Sequence, residues 1–278
     1  MADNLRRMTI DEYKKILKDM LAYVHKICIE NDIHYFVAFG TLLGAVRHNG
    51  FIPWDDDIDI WMLGEDYERF VEILTANSPE YYIVSAENSP YYYHMMTRIC
   101  SNKGTLELNG IIDIENLGPY IDIFRLCKVT ENLEERLDYY KQLVDLNQDI
   151  RYTLPLKYYR KLRFKKKIFA GVQCLKRLKK RFSPGVAGLK EERERLVCKY
   201  QDCETSYYHS LPEFSVLDNR LFTIDEIMNV ETHPFEDIEV LIPKAYDKIL
   251  TRKYGDYMKP LPEEKRVTRH HFVPYWKE

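Results

Sequence analysis

The chain contains no run of 18 apolar residues, so no segment qualifies as a membrane-spanning helix. Its first residues, Met1-Ala2-Asp3-Asn4, lack the basic-then-apolar order of a secretory signal, and a cytoplasmic protein is expected. The six cysteines (Cys28, Cys100, Cys127, Cys174, Cys198, Cys203) are scattered, which suits free thiols in a reducing compartment rather than a disulfide framework. Cys198, Cys203 and His209 are poorly spaced for zinc. No internal repeat and no flexible linker divides the 278 residues. At 45% hydrophobic the chain can bury a sizeable core, and most of its 22 tyrosines are expected to serve packing.

Two stretches stand out from this background. The first is Ile52-Pro53-Trp54-Asp55-Asp56-Asp57-Ile58-Asp59-Ile60. Asp56–Met62 alternates as a strand does, which sets Asp57 and Asp59 on one face and Ile58, Ile60 and Met62 on the other. Asp55 joins the carboxylate face if the extended geometry begins that early. Side chains two apart on a strand are rooted roughly 7 Å from each other, so their tips can converge on a hard cation. A divalent ion would relieve their mutual repulsion. The plainer alternative, an exposed acidic turn, fits less well because the run continues into an apolar strand.

Upstream, Ile33–Phe39 reads as a buried strand, Gly40-Thr41 breaks it, and Leu42–His48 reads as a helix ended by Gly50. A helix that begins at Gly40-Thr41 offers backbone N–H groups to a phosphate. Phosphate on one side and metal-binding carboxylates on the other is the arrangement of nucleotide-dependent phosphoryl transfer. A third carboxylate is expected on a neighbouring strand. Asp122, within Pro119–Phe124, has a cleaner strand pattern than its rival Asp113 in Ile111–Ile114. Arg98 lies in an expected strand, His94–Cys100, either as a phosphate ligand or as an ordinary edge-strand arginine.

Around this nucleus, Thr9 and Glu12 form a capping-box pattern at the head of a helix with an apolar face from Ile10 to Cys28. Helices are also expected at Glu65–Ala76, Glu131–Arg151, Val186–Asp202 and Lys244–Tyr254, the last capped by Gly255. Short strands are expected at Tyr82–Ser85 and Ile238–Ile242. The fold class is α/β, a mixed-sheet core flanked by helices. The expected division is a core over 1–128, a helical insertion over 129–209 and the remainder of the core over 210–278.

The second stretch is basic. Lys157–Arg181 holds 12 of the 41 Lys and Arg residues and no acidic one, so the rest of the chain carries 29 basic against 44 acidic side chains. Ile168, Val172, Leu175, Leu178 and Phe182 recur at helical spacing within it. Peripheral contact of residues 157–182 with an anionic membrane is expected. The rival is a packed helix with a solvated polar side, and a nucleic-acid partner is not expected.

The string Phe39–His48 followed by Gly50–Ile60, with the later Ile121-Asp122-Ile123, resembles the nucleotidyltransferase superfamily and within it the LicD family, which is similar here to the fukutin group. Pro234–Asp237, Pro243–Asp247, Tyr254–Met258 and Pro262–Arg266, ending near His270-His271, follow the same pattern. The likeness covers about residues 9–128 and 210–272, and the segment 130–205 carries no motif of the family.

The resemblance implies a nucleotidyltransferase-like fold and transfer of phosphorylcholine from CDP-choline to a hydroxyl of a cell-envelope glycan, with release of CMP. Lipopolysaccharide or teichoic acid would be such a glycan, reached as a lipid-linked acceptor at the inner face of the plasma membrane. CDP-ribitol or CDP-glycerol as donor, or a nucleotidyl transfer releasing pyrophosphate, are the alternatives. It implies Mg²⁺, with Mn²⁺ as a substitute, held by Asp57, Asp59 and Asp122 with Asp55 as a fourth ligand. Asp122 would also orient or deprotonate the acceptor hydroxyl. Gly40, Thr41, Arg47, Trp54, Arg98 and His270 become candidates for donor or acceptor contacts, and His48 joins the catalytic group. Trp54, Trp61 and Tyr91-Tyr92-Tyr93 are the aromatic candidates for a choline cage.

Overall fold

The computed structural model describes residues 5–90, 92–108, 117–153, 185–211, 221–268 and 272–277. Asp113, Tyr91, His270, His271 and the basic segment 157–182 lie outside the described residues.

Helix α1 (Ile10–Glu30) begins where local chemistry starts it. The Glu12 N–H donates to Thr9 Oγ1, and the Thr9 N–H donates to Glu12 Oε2. Tyr13, Leu17, Met20, Leu21, Val24 and Cys28 are buried along one face at the spacing of the helical period, while Ile10 lies at the edge, half exposed. That face packs into the same apolar core as the central sheet.

The sheet is built from β1 (Tyr35–Val37), β2 (Asp59–Leu63), β3 (Tyr81–Val84), β4 (Thr97–Ser101) and β6 (Tyr120–Lys128), in the order β1-β2-β6-β4-β3. β2 and β6 run parallel; the other pairs are antiparallel. β7 (Tyr207–Ser210) pairs with the far half of β6, and β8 (Leu221–Thr223) pairs with β7. Helices α2 (Phe39–His48) and α3 (Gly64–Asn77) flank the sheet, which makes the fold α/β as expected. β5 (Gly104–Leu108) pairs instead with β11 (Phe272–Trp276), and the Met8 N–H donates to Pro274 O beside it.

Helices α4 (Leu133–Thr153) and α5 (Val186–Val197) share a second apolar cluster in which Tyr139, Tyr140, Leu143 and Val197 meet Val129 and Leu211. Further on come α6 (Ile224–Met228), the hairpin of β9 (Val230–Phe235) and β10 (Ile238–Pro243), and α7 (Tyr246–Tyr254).

Two local expectations are corrected. Strand β2 begins at Asp59, not Asp56, because the chain turns just before it: the Asp55 N–H donates to Ile52 O. Helix α2 begins at Phe39 and closes on Asn49, which takes the left-handed cap conformation expected of Gly50. Gly50 has another task. A Cβ there would collide with the Glu236 carboxylate, which accepts from the Phe51 N–H at 3.0 Å and ties the β9–β10 turn to this loop.

Candidate active site

The register of three strands sets the site. Asp59 on β2 lies opposite Asp122 on β6, and Asp122 lies opposite Arg98 on β4. Directly paired residues share a sheet face, so the three polar side chains form a row across the centre of the sheet. Each is only 8% exposed. Arg98 Nε donates to Asp122 Oδ1 at 2.9 Å, and the guanidinium lies 4.0 Å from the centre of the Tyr120 ring. Arg98 is therefore not an edge-strand residue: β4 lies between β6 and β3, and the guanidinium is engaged by Asp122. Burial alone would lower its pKa, but Asp122, Tyr92 and Tyr120 more than reverse this, so it is a fixed cation.

Thr41 is 5% exposed, and its hydroxyl accepts from the Asp59 N–H at 2.9 Å. The Asp59 carbonyl accepts from the Ala38 N–H at 2.8 Å. The Thr41 side chain thus braces the first residue of β2 against the start of α2. Gly40 beside it has a steric reason to be glycine. A Cβ there would stand 2.6 Å from Asp55 Oδ2, so the Asp55 carboxylate reaches the first turn of α2 only because that side chain is missing. Asp57 is half-buried in the segment before β2 and does not alternate with Asp59 along one strand.

The four carboxylates nevertheless act on one another. Burial first, then the charges of Asp57, Asp122 and Asp55, push the Asp59 carboxyl well above the usual range, while the Lys253 ammonium pulls it back. Among the described residues, no three His, Cys, Asp or Glu side chains converge tightly enough to hold a metal ion by themselves. Mg²⁺ is commonly held by one or two carboxylates together with substrate phosphates. Crowded oxygen donors around a buried, destabilised carboxylate fit such a shared ion, not a closed protein cage.

Gly40 and Asp55 also line a cavity of about 490 Å³. Its other walls include Arg47, Trp54, Tyr254, Tyr257, Lys259 and Lys265. Arg47 Nη1 donates to Tyr257 O at 2.7 Å, and Arg47 Nε donates to His48 Nε2 at 3.0 Å. His48 itself is exposed at the end of α2 and does not line the cavity; partial burial and the Arg47 charge lower its pKa. Trp54 is half-buried, its carbonyl accepts from Thr268 Oγ1, and the Arg266 guanidinium lies 5.4 Å from its ring centre. Trp61 is a core residue, 1% exposed, whose Nε1 donates to Ser210 Oγ. Tyr92 is buried as well. Of the described aromatic candidates for a choline cage, Trp54 faces the cavity.

A separate cavity of about 310 Å³ lies at the far ends of β2 and β6, next to Leu63 and Cys127. Arg125 there is committed to Glu194 through bonds of 2.6 and 2.8 Å, and the carboxylate row does not reach it. The cations and aromatics of the larger cavity come chiefly from residues 254–267, which sequence reasoning matched to a pattern but gave no role. The two tyrosines and three basic residues of Tyr254–Arg266 were the available signal.

A parallel strand pair presents Asp59 and Asp122 in register, beside a cavity that Gly40 lines at the head of a helix, an arrangement that suits a nucleotidyltransferase-type domain. The comparisons agree. Residues 32–165, just under half of the chain, match the LicD/FKTN/FKRP nucleotidyltransferase domain. It is 41% identical over 78 residues to the lipopolysaccharide cholinephosphotransferase LicD of Haemophilus influenzae, covering 28% of this chain and 29% of that protein. It is 44% identical over 71 residues to an uncharacterised protein of Rickettsia typhi, covering 25% and 23%. It is 31% identical over 64 residues to the human ribitol 5-phosphate transferase FKRP, covering 23% and 13%. The aligned part thus spans less than a third of each of these relatives.

Proposed function

We propose that the protein is a Mg²⁺-dependent phosphotransferase that moves a head-group phosphate, phosphorylcholine first among them, from a CDP-linked donor to a hydroxyl of a cell-envelope glycan. The observation that carries this reading is the in-register Asp59–Asp122 pair next to the cavity that Gly40 and Asp55 open. In the reaction the acceptor oxygen forms a bond to the phosphorus that bears the head group. The bond from that phosphorus to the CMP oxygen breaks, and CMP leaves with the electron pair. Asp122 takes or orients the proton of the acceptor hydroxyl, with Arg98 fixing its Oδ1. Asp57 and Asp59, with Asp55 and Asp122, would hold the metal, which supplies charge neutralisation at the phosphates. Gly40 and the first turn of α2 offer N–H groups to the diphosphate. Arg47 and Trp54 line the donor cavity.

The names of two relatives, one a cholinephosphotransferase and one a ribitol 5-phosphate transferase, support phosphate-linked head groups as the class moved. A second reading, a polyol head group such as ribitol or glycerol, is favoured by one observation: Arg266 already stands over the Trp54 ring, a face that a quaternary ammonium would need. The acceptor would be lipid-linked lipopolysaccharide or teichoic acid, met at the inner face of the plasma membrane, with residues 157–182 docking on anionic lipid. No helix among the described residues is long and apolar enough to cross a membrane, which is compatible with peripheral attachment.

The test is a donor screen with Mg²⁺, a glycan fraction, and CDP-choline, CDP-ribitol, CDP-glycerol or CTP. Release of CMP from one CDP-linked donor is expected. Pyrophosphate from CTP would replace the reading with nucleotidyl transfer. Asp59→Asn should lower turnover by about 10²–10³-fold, the scale seen when an electrostatic stabiliser is removed from a site. Unaltered turnover would remove Asp59 from the metal site.

A further inference from the structure

The cavity that Gly40 and Asp55 open has one wall built by the segment after α7, and Lys259 and Lys265 line it there. Both lysines are exposed, and among the described residues no carboxylate, ring or carbonyl engages either ammonium. Arg47 lines the same cavity and donates only to neutral acceptors, the Tyr257 carbonyl and His48 Nε2. Three cations therefore meet the cavity with no ion-pair partner among the described residues. The lining carboxylates are Asp256 and Asp55, and Asp55 stands at the first turn of α2, on the side of the acidic cluster.

The backbone, not the ammonium groups, fixes where the lysines stand. Before Lys259, the Tyr257 carbonyl accepts from Arg47 Nη1 at 2.7 Å. After Lys265, Arg266 Nε donates to Leu261 O at 2.7 Å, and Thr268 Oγ1 donates to Trp54 O at 2.9 Å. The segment is thus pinned, on both sides of the two lysines, to Arg47 and Trp54, which also line the cavity. Pro260 and Pro262 restrict the chain in between. A lysine without an ion-pair partner serves phosphate as a point charge. Cations gathered in one cleft raise the local concentration of an anionic ligand. At about 490 Å³ the cavity has the size of a small-molecule site.

We propose that Lys259 and Lys265 form an anion subsite of this cavity, which takes a phosphate group of a substrate. Two sources carry that chemistry: the phosphate of the CMP half of the donor, and a phosphate borne by the glycan acceptor. The naming of these sources rests on the phosphotransferase reading above, and the experiment separates the subsite from that reading. Lys259→Gln/Lys265→Gln would be compared with the full-length parent in Mg²⁺ by calorimetric titration. The first titration uses CMP, and the second uses inorganic phosphate in the presence of excess CMP. Lys26→Gln/Lys141→Gln, which removes two exposed lysines of α1 and α4 that do not line the cavity, controls for net charge. Lys259 and Lys265 are exposed, so their double variant should unfold at the temperature of the parent.

The Lys259→Gln/Lys265→Gln protein should lose about tenfold in affinity in one of the two titrations, while the control keeps the affinity of the parent in both. A loss with CMP assigns the subsite to the donor, and a loss with inorganic phosphate alone assigns it to the acceptor. Either loss, in a protein that releases CMP from no CDP-linked donor, would sustain the subsite and defeat the donor reading. Unchanged affinity in both titrations, or an equal loss in the control, would overturn the subsite, and CMP release in the donor screen would still uphold the donor reading. A parent protein that binds neither CMP nor phosphate would overturn the subsite as well.

Discussion

Replacing Arg98 by methionine keeps an unbranched apolar stem and removes the charge. Asp122 would then remain 8% exposed, next to Asp59, with its guanidinium partner gone. Solvent does little to screen a pair buried this deeply, and removing one partner of a buried ion pair costs about 3–5 kcal/mol. For a chain whose urea dependence is about 3 kcal/mol per molar, that is a fall of about 1–2 M in the midpoint of unfolding. Removing both charges, as Arg98→Met with Asp122→Asn, leaves no uncompensated ion and should recover much of the loss. The coupling in the double-mutant cycle is expected at roughly 2–3 kcal/mol. The assay is urea unfolding at neutral pH, first in chelator and then in Mg²⁺. On the metal reading proposed above, Mg²⁺ would bind the folded carboxylates in place of the missing guanidinium, so it should stabilise Arg98→Met more than it stabilises the parent. A single variant within 1 kcal/mol of the parent in chelator, with no coupling to Asp122→Asn, would refute the reasoning, since Asp122 would then not depend on Arg98 for its charge balance.

Thr41→Val keeps the shape of the side chain but leaves the buried Asp59 N–H without its acceptor. It should cost about 1–3 kcal/mol, read as a lower thermal midpoint, and an unchanged midpoint would remove Thr41 as the brace of β2. His209 on β7 packs against the Tyr139 and Tyr140 rings, 1% exposed, and its Nδ1 has no hydrogen-bond partner among the described residues. Burial lowers its pKa to about 3. The unfolded chain takes up a proton near pH 6.5 while the folded chain does not, so stability is full above that pH and is lost as pH falls from about 6.5 toward 3. The linked loss is on the order of 4 kcal/mol. The stability of His209→Phe, followed by urea unfolding between pH 7 and 4, should therefore decline less steeply than that of the parent, and parallel profiles would contradict the burial argument.

Helix α1 could be read from residues alone because its start is a local event. The Thr9–Glu12 box and a sustained apolar period need no tertiary partner to be recognised. Asp122 was readable for a similar reason, since Ile121 and Ile123 flank it within a strand. The acidic run misled in one respect. Alternation from Asp56 onward suggested that Asp57 and Asp59 share a strand face, but β1 pairs with β2 only over Ile60–Met62, and the Asp55 turn takes the chain out of the sheet before Asp59. The register that lines up Asp59, Asp122 and Arg98 could not be read from the sequence. It depends on which strands become neighbours and in what register, and a parallel pair such as β2 and β6 is joined by a long excursion that carries no register signal.

The placement of charge follows from the same distinction. The carboxylates come from one stretch of the sheet, residues 55–122, whereas Lys253, Lys259 and Lys265 arrive from α7 and the segment after it. Residues 32–165 supply the carboxylates together with Arg47 and Arg98, while these lysines come from outside the matched domain. Carboxylates pressed together at Asp59 repel a diphosphate as strongly as they attract a metal, so the acidic half cannot by itself bind a nucleotide donor without cations nearby. Arg252 and Glu226 tie α7 to α6, and Arg47 ties α2 to the segment after α7 at Tyr257, so this packing sets where those lysines stand. It brings positive charge to the rim where the Asp55 carboxylate meets Gly40.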